Sequence, residues 1–325
     1  CTGLENRQGK PSWVQIPRPP LVREKRVTKC TRFFLFSDSA FQMMRADLAL
    51  SLSLTEALTM AGVFSPGRAK IDAKTLRTDR WWLQPTITVA VLVSFIIYAT
   101  FRAFEAKYYF AEPLISPFYS PCLSSDCVDG SSLLGQPFGH IALFGLAISP
   151  ALFILIFPLG FRMTCYYYRK AYYRGFWQSP PACAVAEPHK SYSGETKAPL
   201  IVNNAHRWFF IAGTVFNVIL TIDALLAFRN EDKEWGHMSV GTIVLLINAF
   251  LLWGYSVSCH SCRHIVGGRL RNFSKHPVRY KAWTVVSKLN EKHQNFAWVS
   301  LFGVALTDLY VRLVASGAIT NFYFF

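Results

Sequence analysis

Two short segments concentrate the side chains that bind soft and borderline metals. In SCHSCRH, Cys259, His260, Cys262 and His264 fall within six residues; in SPPACAVAEPH, Cys183 precedes His189. Thiolate and imidazole are the donors such metals select, and a set drawn from two segments would also tie those segments together on binding. A tetrahedral Cys2His2 set reads equally as structural zinc or as a Rieske-type [2Fe–2S] cluster, in which two Cys hold one iron and two His the other. Cys262-Arg263-His264 supplies a Cys-x-His pair. Cys183 with His189 supplies a second pair at longer spacing, with Cys259 and His260 as alternates. Plain interfacial residues are the third alternative.

Other side chains invite chemistry singly. His140 and His237 begin two apolar stretches, and His206 and His293 begin two others, so bis-His haem b is a further alternative. Each lies at a helix end, however, and no stretch has a His in its middle. Asp308 sits inside an apolar stretch, where ionisable groups are costly and are read as functional by default. It could relay protons, or an i,i+4 pair with Arg312 could neutralise both. Asp223 carries the same choice, and Asn217 and Asn248 read as interhelical hydrogen-bonding residues. Cys122 and Cys127, in SPCLSSDC, are spaced for a disulfide in an oxidising compartment.

These residues need elements to hold them, and composition says which. Charged residues make up 16% and hydrophobic residues 52% of the 325, far from the quarter charged usual in soluble domains. Five apolar stretches, Trp82–Phe104, Ile141–Phe161, Trp208–Phe228, Met238–Val257 and Phe296–Ser316, each suit a helix of about 20 residues crossing about 30 Å of hydrocarbon. Trp81, Trp82, Trp208, Trp235 and Trp298 lie near their ends, as interfacial residues do. The expected fold is an all-α membrane protein of five transmembrane helices. Lys and Arg exceed Asp and Glu by 34 to 19, and the excess gathers in the connections 162–207 and 258–295. The positive-inside rule then puts those loops and the N-terminus in the cytoplasm and the C-terminus outside. The basic excess thus reports topology in the cell membrane and not nucleic-acid binding.

Residues 1–59 are basic and aperiodic and are expected to be an extension or disordered tail outside the functional unit. A basic tail, 60–80, then leads into the five-helix domain, 81–325. The cytoplasmic loops are too short to fold a catalytic domain of their own, so chemistry in water would fall to another subunit. No P-loop, dinucleotide fingerprint or internal repeat is present. The aromatic run TCYYYRKAYYRGFW suits either a membrane interface or a docking surface.

The stretches FYSPCLSSDC, FPLGFRMTCYYYRKAYYRGFWQSPPACAVAEPHKSYSGET, HRWFF, WGHM and SCHSCRHIVGGRLRNFSKHPVRY resemble the membrane-anchor subunit of actinobacterial-type succinate dehydrogenase. The resemblance runs over about residues 68–325. It implies an anchor that docks a flavoprotein subunit and an iron–sulfur subunit and passes electrons to a membrane quinone, menaquinone. It also implies a Rieske-type [2Fe–2S] centre in place of haem b, with ligands among the Cys and His residues named above: Cys183, His189, Cys262 and His264, or the alternates. For the quinone, polar and aromatic groups at the inner interface are the candidates: Tyr166, His206, Arg207 and Trp208.

Overall fold

The first long helix, α1 (Leu83–Glu105), runs unbroken because no Pro or Gly interrupts it after Pro85 in its first turn. It stops at Ala106, which takes a left-handed φ of 50°. The computed structural model describes residues 77–325 except 140–141, 144–145, 148, 189–195, 199 and 231, so the expected extension 1–59 and His189 lie outside the described residues. After α1, two antiparallel pairs of very short strands follow, Phe110–Ala111 with Leu114–Ile115 and Ala142–Leu143 with Leu146–Ala147. Then come α2 (Pro150–Met163) and α3 (Tyr166–Tyr172), the latter prolonged by a π-helical turn Tyr173–Trp177. A 3-10 turn, Leu200–Ala205, opens α4 (His206–Leu226). The rest is α5 (Val240–Val257), α6 (His260–Gly267), α7 (Pro277–Glu291) and α8 (His293–Ala315).

Among the described residues four helices are long and apolar enough to cross a membrane, and the bent pair α2–α3 makes a fifth if counted as one span. The second stretch departs from expectation. Helix begins at Pro150 and not at Ile141, and after Met163 the chain turns by 83° into Tyr166–Trp177. Proline at the first helical position explains the start, because its ring disfavours helix in the residue before it. Apolar side chains such as Ile87, Ile96, Ile97, Phe101 and Phe104 line α1 in exposed positions, the surface a lipid-facing helix presents.

Helices α5 and α8, α4 and α5, and α2 and α4 pack side by side. Asn217 binds across α4 and α5 as expected, its Nδ2 donating to Ser256 Oγ at 2.7 Å and Leu252 O at 3.2 Å. Small residues bring the helices close. A Cβ on Gly213 of α4 would sit 2.8 Å from Phe161 Cδ1 of α2. Gly213→Val is therefore expected to cost about 1–3 kcal/mol by overpacking, read as a lower melting temperature of the detergent-solubilised protein.

The chain's reversals give the bundle two ends. At one, Cys122 and Cys127 form a disulfide, Tyr119 Oη donates to Arg102 O at 2.6 Å, and the segment before α5 pairs with the C-terminal residues at Ser239 and Tyr323. Here too lies Asp308, but not paired with Arg312. Asp308 Oδ2 accepts from Arg102 Nε of α1 at 2.7 Å, and Arg312 Nη2 donates to Glu105 at 2.8 Å. The i,i+4 pairing fails because α1 offers each side chain a nearer partner across the helix interface. At the other end, α2, α4, α5 and α8 all terminate, and that end carries the basic α6–α7 segment.

Candidate metal centre

Four helix termini at the basic end each deliver one sulfur or imidazole group. Cys165 precedes α3, Cys259 follows α5 at the start of α6, and His206 and His293 are the first residues of α4 and α8. They meet in two facing pairs: His206 Nε2 lies 3.2 Å from Cys259 Sγ, and His293 Nε2 lies 3.5 Å from Cys165 Sγ. Cys165, Cys259 and His293 are buried. Phe161, Tyr168, Phe210, Tyr255, Ala297 and Leu301 enclose them.

The hydrogen bonds fix how the imidazoles point. Thr164 Oγ1 donates to Gly160 O at 2.7 Å and lies 2.9 Å from His206 Nδ1. A hydroxyl whose proton is engaged by the carbonyl accepts from the ring, the arrangement that favours the His206 tautomer protonated on Nδ1. Ser258 Oγ likewise donates to Tyr255 O at 3.1 Å and sits 2.7 Å from His293 Nδ1. In that tautomer each Nε2 presents its lone pair to a sulfur. A hydroxyl or carbonyl on the far nitrogen is the usual way a protein sets a metal-ligating imidazole. Tyr255 stacks on His293 with centroids 5.1 Å apart and 5° between planes, and Phe161 stacks on His206 at 5.3 Å.

Residues 83–317 match the family described as actinobacterial succinate dehydrogenase subunit SdhC. The chain belongs to this family. It is also similar to a chain of the solved "Mycobacterium smegmatis Sdh1 complex in the apo form", with 52% identity and a TM-score of 0.74 over 81% of this chain and 98% of that one. No curated protein matches. The protein is thus an SdhC-type membrane subunit of a succinate dehydrogenase.

The subunit gathers a different set of donors from the one its local sequence suggested. Of the two alternates, Cys259 is at the centre. His260 is exposed at the border, its ring 6.2 Å from that of His293. Cys262 packs against the edge of the enclosing cluster. His264 is exposed, its Nδ1 3.2 Å from Arg207 Nη2. Cys183 lies in the 178–188 loop, where its carbonyl accepts from Arg77 Nη1 at 3.2 Å, and it is not a free thiol. The reason is geometric: a pair close in sequence on a short helix such as α6 points around its axis, whereas residues at four converging helix ends point at one another.

His206, one of the residues considered for the quinone, lies in this cluster. The other candidates for that role, Tyr166, Arg207 and Trp208, are exposed, Trp208 to 74%. Nor do His206 and His293 face each other as a haem pair, since each Nε2 meets a cysteine. Burial pushes the Cys259 thiol up to about 12, so it stays protonated unless a cation replaces its proton. Burial, and then Arg263, lower His260. Sequence reasoning passed over Cys165 and treated His206 and His293 in other roles. The available signal was position: all four lie where a span ends on the basic side.

Proposed function

We propose that this subunit is the electron-transferring anchor of a succinate:quinone oxidoreductase, with a Rieske-type [2Fe–2S] centre held by Cys165, Cys259, His206 and His293. One observation carries the reading: two thiols and two Nε2 lone pairs converge in an aromatic enclosure, each imidazole already oriented from behind by a hydroxyl. Two sulfurs and two imidazoles are the donor set that a cluster with sulfur on one iron and nitrogen on the other requires.

When bound, such a centre supplies one-electron transfer at a potential raised by imidazole ligation above that of all-thiolate clusters. The chain's own residues do the rest. Thr164 and Ser258 hold the imidazoles, and Phe161, Tyr168 and Tyr255 keep water away. The basic end, with Arg263, Arg269, Arg271, Lys275 and Arg279 on or beside α6 and α7, takes the flavoprotein and iron–sulfur subunits on the cytoplasmic side of the cell membrane. The C-terminus then lies outside. The menaquinone head group belongs at the same end, beside the exposed Tyr166, Arg207 and Trp208, because electron donor and acceptor must both approach the centre.

Metal analysis of the purified complex tests this. About two irons and two acid-labile sulfides per anchor, beyond those of the partner subunits, should accompany a Rieske-type EPR signal. One zinc without the extra iron, or a Soret band with reducible b-type peaks, would overturn the assignment.

A further inference from the structure

Arg162, one residue before the end of α2, has a guanidinium without a carboxylate among the described residues. Its Nη1 donates to Tyr168 Oη at 2.5 Å, Ser300 Oγ at 3.2 Å and Ala297 O at 3.3 Å, and its Nη2 donates to Ser300 O at 3.3 Å. Every acceptor is neutral. Two arginines at the opposite end of the bundle are matched, Arg102 by Asp308 and Glu105, and Arg312 by Glu105. A half-buried cation held only by neutral groups is costly, and its surroundings say where a compensating charge would arise. The guanidinium carbon lies 5.0 Å from the Tyr255 ring centroid and 5.6 Å from that of Tyr168. The Tyr255 ring stacks on His293, and the field of Arg162 reaches Cys165. The unmatched charge therefore sits one aromatic layer from two of the four donors.

We propose that Arg162 is the counter-charge for the electron that passes through this site, and that it raises the potential of the centre. The inference rests on the Rieske-type reading above. Two thiolates and two sulfides balance two ferric ions when both imidazoles are neutral, so the oxidised set carries no net charge. One electron, delivered by an iron–sulfur cluster of the partner subunit, reduces one Fe(III) to Fe(II) and leaves a single negative charge. No bond forms or breaks, and no proton moves. Arg162 acts by lowering the free energy of that reduced state, the electrostatic lever by which a protein tunes a cluster. Until the quinone takes the electron away, the guanidinium has its missing anion. Tyr168 steadies the arrangement, accepting from Arg162 while donating to Ala297 O at 2.5 Å.

Redox-poised EPR of the complete complex tests the proposal, with the partner subunit's clusters as internal standards. Arg162→Gln should lower the reduced-to-oxidised ratio of the Rieske-type signal at least about tenfold at a fixed potential, a downward shift of about 59 mV for a one-electron couple. Arg162→Lys, which keeps the charge, should recover most of that. Ser300→Asp serves if Arg162→Gln does not assemble, because it leaves the arginine in place and cancels its charge locally. It should lower the ratio in the same direction. An unshifted potential in assembled Arg162→Gln or Ser300→Asp complexes overturns the proposal, as does an equal fall in Arg162→Lys. Absence of any Rieske-type signal from the unmutated complex overturns the function reading itself, whereas an unshifted signal overturns only the role of Arg162.

Discussion

Replacing Cys259 by serine is expected to abolish the Rieske-type EPR signal and, with it, electron delivery to quinone, while succinate oxidation by a soluble artificial acceptor continues. Cys165→Ser, His206→Gln and His293→Gln should do the same. Each removes one of the four donors: of the neighbouring candidates, Cys262 sits at the edge of the enclosing cluster, and His260 is exposed, its ring 6.2 Å from that of His293. Cys262→Ser and His264→Gln should keep the signal, and Cys183→Ser should too. The hydroxyls behind the imidazoles should show a graded effect. Ser258→Ala leaves His293 Nδ1 without the partner 2.7 Å away, and loss of an outer-shell partner of this kind costs about 10–100-fold in metal affinity. The measurement is cluster occupancy by iron and sulfide analysis alongside EPR. If Cys262→Ser lost the signal while Cys165→Ser retained it, the donor set would have to be drawn from the short SCHSCRH segment.

The spans were legible in the sequence because hydropathy over about 20 residues leaves little freedom: α1, α4, α5 and α8 begin and end within a few residues of the stretches that mark them. The second was not. Its apolar run from Ile141 continues through residues that pair as short strands, and only Pro150 signals that helix starts later. Hydropathy cannot separate apolar strand from apolar helix. The candidate centre was legible as chemistry but not as a constellation. Spacing rules find ligands that share one short segment, and here the donors sit at the far ends of two long connections, Cys165 with His206 and Cys259 with His293, the two connections being separated by two membrane spans. Cys259 was found because it falls in a Cys/His-dense segment. Cys165 was lost in an aromatic run, and His293 looked like an ordinary helix start. The packing of Gly213 on Phe161 and the placing of Thr164 beside His206 have no local signature at all.

Asp308→Asn is expected to destabilise the subunit by about 3–5 kcal/mol, the cost of breaking one side of a buried ion pair, and to leave quinone reduction per assembled complex unchanged. Asp308 and Arg102 are both fully buried. The carboxylate accepts four hydrogen bonds: from Arg102 Nε at 2.7 Å and Nη2 at 3.2 Å, from Tyr98 Oη at 2.5 Å, and from Ser116 Oγ. Arg102 in turn has all five N–H groups engaged, the others reaching Glu105 and the carbonyls of Lys107 and Tyr108. A proton relay needs a carboxyl group with a free site and an equilibrium between its two states. This one is saturated on both oxygens and locked to a cation. In the asparagine variant Glu105 cannot make good the loss, because it already serves Arg312. The strain should appear as a lower melting temperature and a lower yield of assembled complex. Arg102→Met combined with Asp308→Leu should regain much of the stability, since replacing a whole buried pair by apolar groups is often near neutral. A quinone-reduction rate that fell about tenfold in Asp308→Asn with melting unchanged would instead make Asp308 a proton carrier, and the ion pair its resting state.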